Sequence, residues 1–302
     1  MTTREQTGEE RALQPHGPVV AIVRDALDAS VRRLLVADPI ARIGEDPEGV
    51  HQARVATRRL RCDLRTFGPL LDPVWSTSLR DELRWLGREL GAARDAEVLL
   101  GHLRDRAHAL PPEIELGVKP ILDAAAGDRD AAYARVHEVL GSSRYFDLVD
   151  RLVQAAMAPK VDAGAAEAKK RDLVRLARRP WRRVRREYRE LGADPRDEAL
   201  HALRIRAKRA RYAVEAVAGA VGGKGPRKLA AALTDLQDVL GAHQDAVVAQ
   251  AWLHDHTGDA GPTESYAAGM LAGLLRADAF AATAAVPGAW RRLNRRRSTA
   301  WM

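Results

Sequence analysis

Apolar residues recur along this chain at intervals of three and four, and each run is bounded by proline, glycine or a capping acid. Val20, Val23, Leu27, Val31, Leu34 and Leu35 predict a helix from Val19 to about Val36, ended by Asp38-Pro39. The next runs from His51 to Leu71, where Gly68, Pro69 and Asp72-Pro73 close it. A third is expected from Ser76 to Leu90 with Gly91 as its cap, and a fourth from Asp95 to about Leu110, stopped by Pro111-Pro112. Stretches 114 to 126 and 128 to 157 follow, with a bend at Gly141-Ser142-Ser143. Beyond a join at 158–168, helices are expected over about 169–191, 198–221, 229–240, 245–255, 263–276 and 278–293, with Pro180 kinking or splitting the first. Ala, Leu and Arg dominate and long β-branched runs are absent, so the fold class is all-α.

One of these helices has two unlike faces. At about 100° per residue, His51, Arg54, Arg58, Arg61 and Arg65 stack within an arc of about 80°. Ala53, Leu60, Leu64, Phe67 and Leu71 lie opposite, giving a cationic ridge on one side and a core face on the other. The pattern returns from His201. There His201, Arg204, Lys208 and Arg211 take the ridge positions and Leu203, Ala210, Val214 and Val217 the apolar ones, with Glu215 standing where Arg65 stands.

The 150-residue offset between these helices persists without a gap. Leu79, Leu83, Leu86, Leu90, Gly91, Asp95 and Ala96 meet Leu229, Leu233, Leu236, Leu240, Gly241, Asp245 and Ala246. That period far exceeds the roughly 20 to 50 residues of solenoid units, so an internal duplication into two halves is the expectation. The organisation read from it is a disordered lead-in over 1–17, a first half over 18–157, a linker over 158–168, a second half over 169–293 and a basic tail over 294–302.

Charge adds a partner class to this picture. The formal net charge is +8, and only seven of the 49 basic residues are lysine. Arginine's planar fork matches phosphate oxygens in bidentate fashion, and a GC-rich genome would favour it as well. Composition does not explain why the cations line up. Cys62 is the sole cysteine, which excludes an internal disulfide, and no Cys/His cluster has zinc spacing. The N-terminus lacks an apolar segment and nowhere do eighteen apolar residues run together, so a cytoplasmic protein with no membrane partner, no metal and no cofactor is expected.

Two basic helices at equivalent places in a duplicated protein would share one surface if the halves pack about a pseudo-twofold axis. Convergent cations between low-dielectric walls focus the field on a long anion. A further basic helix from Lys169 carries Arg175, Arg178 and Arg182 on one face. Arg59 with Asp63 and Arg211 with Glu215 read as solvated i,i+4 pairs. His51 and His201 at the heads of the ridges are candidate phosphate donors. Their use as nucleophile or acid in a phosphoanhydride-processing enzyme is the alternative, but the ridges bring no carboxylate cluster and no Gly-rich phosphate loop, so no catalytic residues are assigned. Nucleic-acid binding is a second alternative, expected only weakly and at low salt, because the ridges lack the aromatic platforms of single-strand binders.

His51-x-x-Arg54-Val55-x-x-Arg58-Arg59-Leu60-Arg61, followed by Leu90-Gly91-x-x-Arg94-Asp95-Ala96, resembles the motif pattern of the CHAD family, the conserved histidine α-helical domain. The second half matches with His201, Arg204, Ile205, Lys208, Arg209, Arg211, Gly241 and Asp245, so the resemblance covers about residues 18 to 293. It implies two pseudo-twofold-related four-helix bundles with a basic central cavity that binds inorganic polyphosphate; a scaffold that targets partners to polyphosphate granules is a third reading of the same site. Carried over, the resemblance makes His51, Arg54, Arg58, Arg61, Arg65, Arg94, His201, Arg204, Lys208 and Arg211 anion-binding residues, joined by Arg175, Arg178 and Arg182. Gln244 stands where Arg94 stands in the first half. With the arginine-rich helix in the second half, the site is expected to be asymmetric and stronger on that side.

Overall fold

The computed structural model describes residues 17–44 and 46–302, so the expected lead-in over 1–17 lies outside the described residues except for Gly17. The fold is all-α. Helix α1 (Pro18–Ile43) starts with proline in its first turn, where a missing N–H costs nothing. It buries Val19, Val23, Leu27, Val31 and Leu34. The stop expected at Asp38-Pro39 does not occur; α1 passes through Pro39 and ends at Gly44, whose φ of +76° suits a residue without a Cβ. Asp38 stays within the helix because its carboxylate is doubly engaged, accepting from Arg42 one turn on and from the Tyr145 hydroxyl at 2.6 Å.

Helix α2 (Pro47–Thr66) begins a turn before His51, with Asp46 accepting from the Glu48 amide at 2.8 Å and Pro47 at the first position. Its apolar face, Ala53, Leu60 and Leu64, is buried as the period requires. Gly49 marks its crossing with α1: a Cβ there would sit 2.5 Å from the Ala41 nitrogen and 2.6 Å from the Ile40 carbonyl carbon.

Helix α3 (Pro73–Ala107) replaces the two helices expected on either side of Gly91. Gly91 is not a cap. It is buried in the helix beneath the Arg54 guanidinium, and Gly87, one turn earlier, lies beneath that of Arg61. Helices α4 (Glu115–Leu140) and α5 (Ser143–Met157) follow, separated at Gly141-Ser142 where the Ser142 hydroxyl caps α5. The join at 158–168 is tied to the α2–α3 turn, for Asp72 donates to the Lys160 carbonyl and Asp162 to the Leu70 carbonyl, both at 3.0 Å.

The second half consists of α6 (Lys170–Glu190), α7 (Asp197–Val221), α8 (Lys224–His256) and α9 (Pro262–Leu293), then the short α10 (Arg296–Thr299). Here too the expected breaks at Pro180, between 240 and 245, and near 277 are absent, because packing on both sides holds the weak positions helical. Trp290 of α9 stacks on Tyr188 of α6, with centroids 4.0 Å apart. Helix α9 is long and apolar enough to cross a membrane by length and composition; its Ala267, Leu271 and Leu275 are buried in a cluster with residues of α3, α4 and α8.

Between the halves α2 packs on α7, α3 on α8 and α4 on α9, so these three helices each meet the helix at the 150-residue offset. A continuous buried cluster runs from α1 through α2 and α7 to α9, and a smaller one joins the far ends of α3, α4, α8 and α9. With the apolar faces of α2 and α7 committed to this shared core, their remaining faces are left to the site.

Two glycines predict opposite responses. Gly49→Ala forces apart two backbones and should lower stability by about 1–3 kcal/mol. Gly241→Ala meets no atom within 4 Å and should raise it by about 0.5–1 kcal/mol through helix propensity. Thermal melts of the two variants check both signs.

Candidate functional site

Helices α2 and α7 cross with their cationic ridges toward one another. His51, Arg54 and Arg58 from α2 and His201, Arg204 and Lys208 from α7 line a cavity of about 380 Å³, completed by Arg94 and Asp95 of α3 and Gln244 and Asp245 of α8. Arg58 and Lys208 also form the wall of a second cavity of about 230 Å³, with Arg61, Arg65, Arg80, Arg84 and Arg209. Arg65, Arg209 and Cys62 are shared in turn with a third of about 250 Å³, which adds Arg179, Arg183 and Arg206. The three are contiguous through shared walls. Among the described residues no carboxylate lines the second or the third.

On its other side the first cavity adjoins a wider cleft of about 840 Å³, with Arg94, Val98 and Asp245 in common. Glu97, Asp105, Asp238 and Asp278 line that cleft. Charge along the series therefore runs from mixed and acid-rich to wholly cationic.

Inside the first cavity the donors are incompletely satisfied. Arg54 donates to Asp95 at 2.8 Å, and the His201 ring nitrogen Nδ1 bonds the Gln244 side-chain oxygen, so glutamine holds the imidazole where the first half has Arg94. Nδ1 of His51 and Nε of Arg58 and of Arg204 are buried with no partner among the described residues.

Burial and crowded positive charge push the titrations of the cationic groups down, a cost that a nearby anion would relieve. Burial, then the charges of Arg204, Arg58 and Arg54, lowers the Lys208 amine to about 8. Burial and Arg94 push His51 below its usual 6.5, so an acid-side gain in anion affinity sets in lower than an ordinary histidine would place it. Arg61, Arg80 and Arg209 are lowered by burial and by neighbouring arginines, and burial raises the Asp245 carboxyl. The Cys62 thiol is pushed up to about 11 by burial and is inert as a nucleophile.

Of the residues singled out from the sequence, His51, Arg54, Arg58, Arg94, His201, Arg204 and Lys208 meet in the first cavity, and Arg61 and Arg65 in the second. Arg211 does not join them. Its guanidinium donates to the Thr234 hydroxyl at 3.3 Å and the Tyr212 hydroxyl at 2.9 Å, and its Nε lies 3.6 Å from Glu215. Arg175, Arg178 and Arg182 line none of the described cavities either; they are exposed. Burial of Leu173, Ala177, Trp181 and Val184 sets the rotation of α6, and the regular arginine row falls opposite that stripe. The flank between carries Arg179 and Arg183 into the third cavity instead.

The sequence reading did not single out Arg80, Arg84 and Arg206, and it quoted Arg209 as a motif residue without placing it in the anion-binding set. Their signal was present in outline, since Arg80 and Arg84 are one turn apart beside the Leu79-Leu83-Leu86 stripe. The expected bias toward the second half is absent from the first cavity, where α2 and α3 give three arginines and α7 one arginine and one lysine.

The two supposed surface pairs are in fact the seam between the halves. Arg59 lies 3.2 Å from Asp63 within α2 and also bonds Glu215 of α7, while the Ser30 hydroxyl of α1 donates to Asp63 at 3.0 Å. Asp63 is 1% exposed on its side chain, and burial pushes its carboxyl up to about 6 despite Arg59 and Ser30.

A family model for the CHAD domain matches residues 25–254. The chain belongs to the CHAD family. An uncharacterized protein of Mycobacterium tuberculosis, in strains CDC 1551 / Oshkosh and ATCC 25618 / H37Rv, is 34% identical over 251 residues, covering 78% of this chain and 46% of its own length. This CHAD chain thus spans about half the length of the curated relatives it matches. Among solved structures it is similar to PptA from Streptomyces chartreusis, with 26% identity, a TM-score of 0.76, and coverage of 90% of this chain and 98% of that one. It is likewise similar to the CHAD domain from the plant Ricinus communis, with 26% identity, a TM-score of 0.73 and 93% of each chain covered.

The buried acid at the seam of this CHAD domain generates a pH prediction. Its folded value, near 6, is above the ordinary 3.8, so the native state binds a proton that the unfolded chain has already released. This group's contribution is full below about pH 4 and is lost as pH rises through 6. Stability of the wild type relative to Asp63→Asn should fall by on the order of 2 kcal/mol between pH 4 and 7. Paired melts across that range check it; a constant difference would contradict the assignment.

Proposed function

We propose that this CHAD protein binds linear inorganic polyphosphate along the three contiguous cavities between α2, α3, α6 and α7, without processing it. The observation that carries this reading is the shared walls: Arg58 and Lys208 link the first cavity to the second, and Arg65 and Arg209 link the second to the third. Such a series suits an unbranched polymer with a charge at every unit better than a compact anion, which one cavity would serve. Family membership supports the same ligand class, and targeting to polyphosphate granules would follow from such binding.

Binding without turnover fits the two carboxylates that do reach the first cavity. Asp95 is engaged by Arg54 at 2.8 Å, and Asp245 is a half-buried group whose carboxyl burial raises and Arg204 partly lowers. A nucleic-acid ligand is disfavoured by Tyr212. It is the aromatic residue on the walls of the three cavities, and its ring is covered by the guanidiniums of Arg58, Arg59 and Arg211 at 4.8 to 5.9 Å, which leaves no face for a base.

Calorimetric titration with long-chain polyphosphate tests the reading. The double variant Arg58→Glu with Lys208→Glu should lose at least about a hundredfold in affinity, given convergent charges in a shielded cavity. Arg175→Glu with Arg178→Glu, an equal change of charge on the outer face of α6, should lose less than about threefold at physiological salt. Equal losses would mean diffuse attraction to a basic surface. Ready displacement by excess duplex DNA would favour the nucleic-acid reading, and shortening of the polymer during incubation with magnesium would favour an enzyme.

Lysine 208 adds a pH signature. A bound polyanion favours the ammonium form, so the amine at about 8 in the free protein takes up a proton on binding, close to half a proton at pH 8. Affinity should decline as pH climbs from 7.5 to 9.5, and Lys208→Arg, which keeps its charge, should hold it flat over that range.

A further inference from the structure

Lysine is scarce here, and its seven copies are not equivalent. Lys119, Lys160, Lys169, Lys170, Lys224 and Lys228 are exposed; Lys208 alone lies inside, half-buried where the first and second cavities meet. Arg54 and Arg58 face it from α2, Arg204 from its own helix and Asp245 from α8. The same arginines that would hold a phosphate group therefore surround a primary amine.

We propose that Lys208 is a site of acylation by small acyl phosphates, whose phosphate is held by the cavity arginines while the acyl carbon meets the amine. The inference rests on the anion-binding reading of that cavity. In the reaction the free-base nitrogen attacks the acyl carbon and an N–C bond forms. The C–O bond to the phosphate breaks, inorganic phosphate leaves with the electron pair, and the nitrogen's proton goes to solvent. No further reactant is required. The product is a neutral amide at the junction of the two cavities, so the modification removes a cation from the polyanion path, and an occupying polyanion shields the amine in return.

Reactivity is supplied as well as position. With its value lowered to about 8, roughly half of the Lys208 amine is free base at pH 8, against well under 1% for an ordinary lysine near 10.4. Arg58 and Arg204 line the first cavity with Lys208, and among the described residues neither guanidinium is held in an ion pair, which leaves both for a phosphate on the same wall. An exposed lysine such as Lys119, paired with Asp123 at 2.6 Å, has neither advantage.

The test is acetylation of the full chain with acetyl phosphate at pH 8, with each lysine followed by mass spectrometry. The N-hydroxysuccinimide ester of acetic acid, which carries no phosphate, serves as reference reagent. Lys208 should react about tenfold faster than Lys119 with acetyl phosphate, after allowing for the weaker nucleophilicity of a less basic amine. The preference should shrink with the ester, in saturating polyphosphate, and in Arg204→Gln. Acetylated protein should bind polyphosphate at least about tenfold more weakly. Equal rates at Lys208 and Lys119 overturn the inference, as does a preference that survives in Arg204→Gln. Titration of the same preparation separates the two claims: polyphosphate binding without selective acetylation keeps the functional reading and removes this one, and selective acetylation without polyphosphate binding does the reverse.

Discussion

Two carboxylates at the seam between the halves make the cationic site possible. α2 and α7 bring more than half a dozen basic side chains together, and unrelieved repulsion among them would open the crossing. Asp63 and Glu215 take up Arg59 between them, and Glu215 also lies beside Arg211. Both acids lie toward the core edge of the ridges, so the seam is neutralised where it is buried while Arg54, Arg58, Arg204 and Lys208 keep their charge along the cavity. Removing Arg59 would leave Asp63 buried without its cation, typically a loss of about 3–5 kcal/mol, while the raised Asp63 carboxyl marks its charge as held there at a net cost relative to the protonated form.

The second condition is steric. Guanidiniums from α2 lie across α3, and at Gly87 a Cβ would come 3.3 Å from the Arg61 guanidinium, whereas at Gly91 it would make ordinary contact with that of Arg54 at 3.9 Å. Each glycine costs about 1 kcal/mol of helix propensity relative to alanine, and the burial of Leu79, Leu83, Leu86 and Leu90 on the other side of α3 offsets it.

How much of this was legible follows from where the information resides. The α2 ridge and its core face could be read directly, because Leu60 and Leu64 lie opposite Arg58 and Arg61 on one helix and the period alone assigns them. The correspondence of α2 with α7 was equally plain from the 150-residue offset. Gly91 misled because a glycine after a run of leucines has the same local signature as a helix cap, and only its packing under Arg54 distinguishes the two. Arg175, Arg178 and Arg182 misled for a related reason. The most regular cationic row on a helix is often its solvent face, and the flanking Arg179 and Arg183 could be chosen only once Trp181 and Val184 were known to point inward. The partnership of Arg59 with Glu215 spans 156 positions and leaves no local trace at all.

The acid-lined cleft beside the first cavity gives the molecule a front and a back. Glu97, Asp105, Asp238 and Asp278 stand at one end, with Arg106 and His102 beside Asp278, while Arg65, Arg179, Arg183 and Arg209 stand at the other, so charge is unevenly spread along the furrow. The correspondence of α2 with α7 is thus not matched by an even charge around them: a few side chains of opposite sign make the two ends of the furrow chemically unlike.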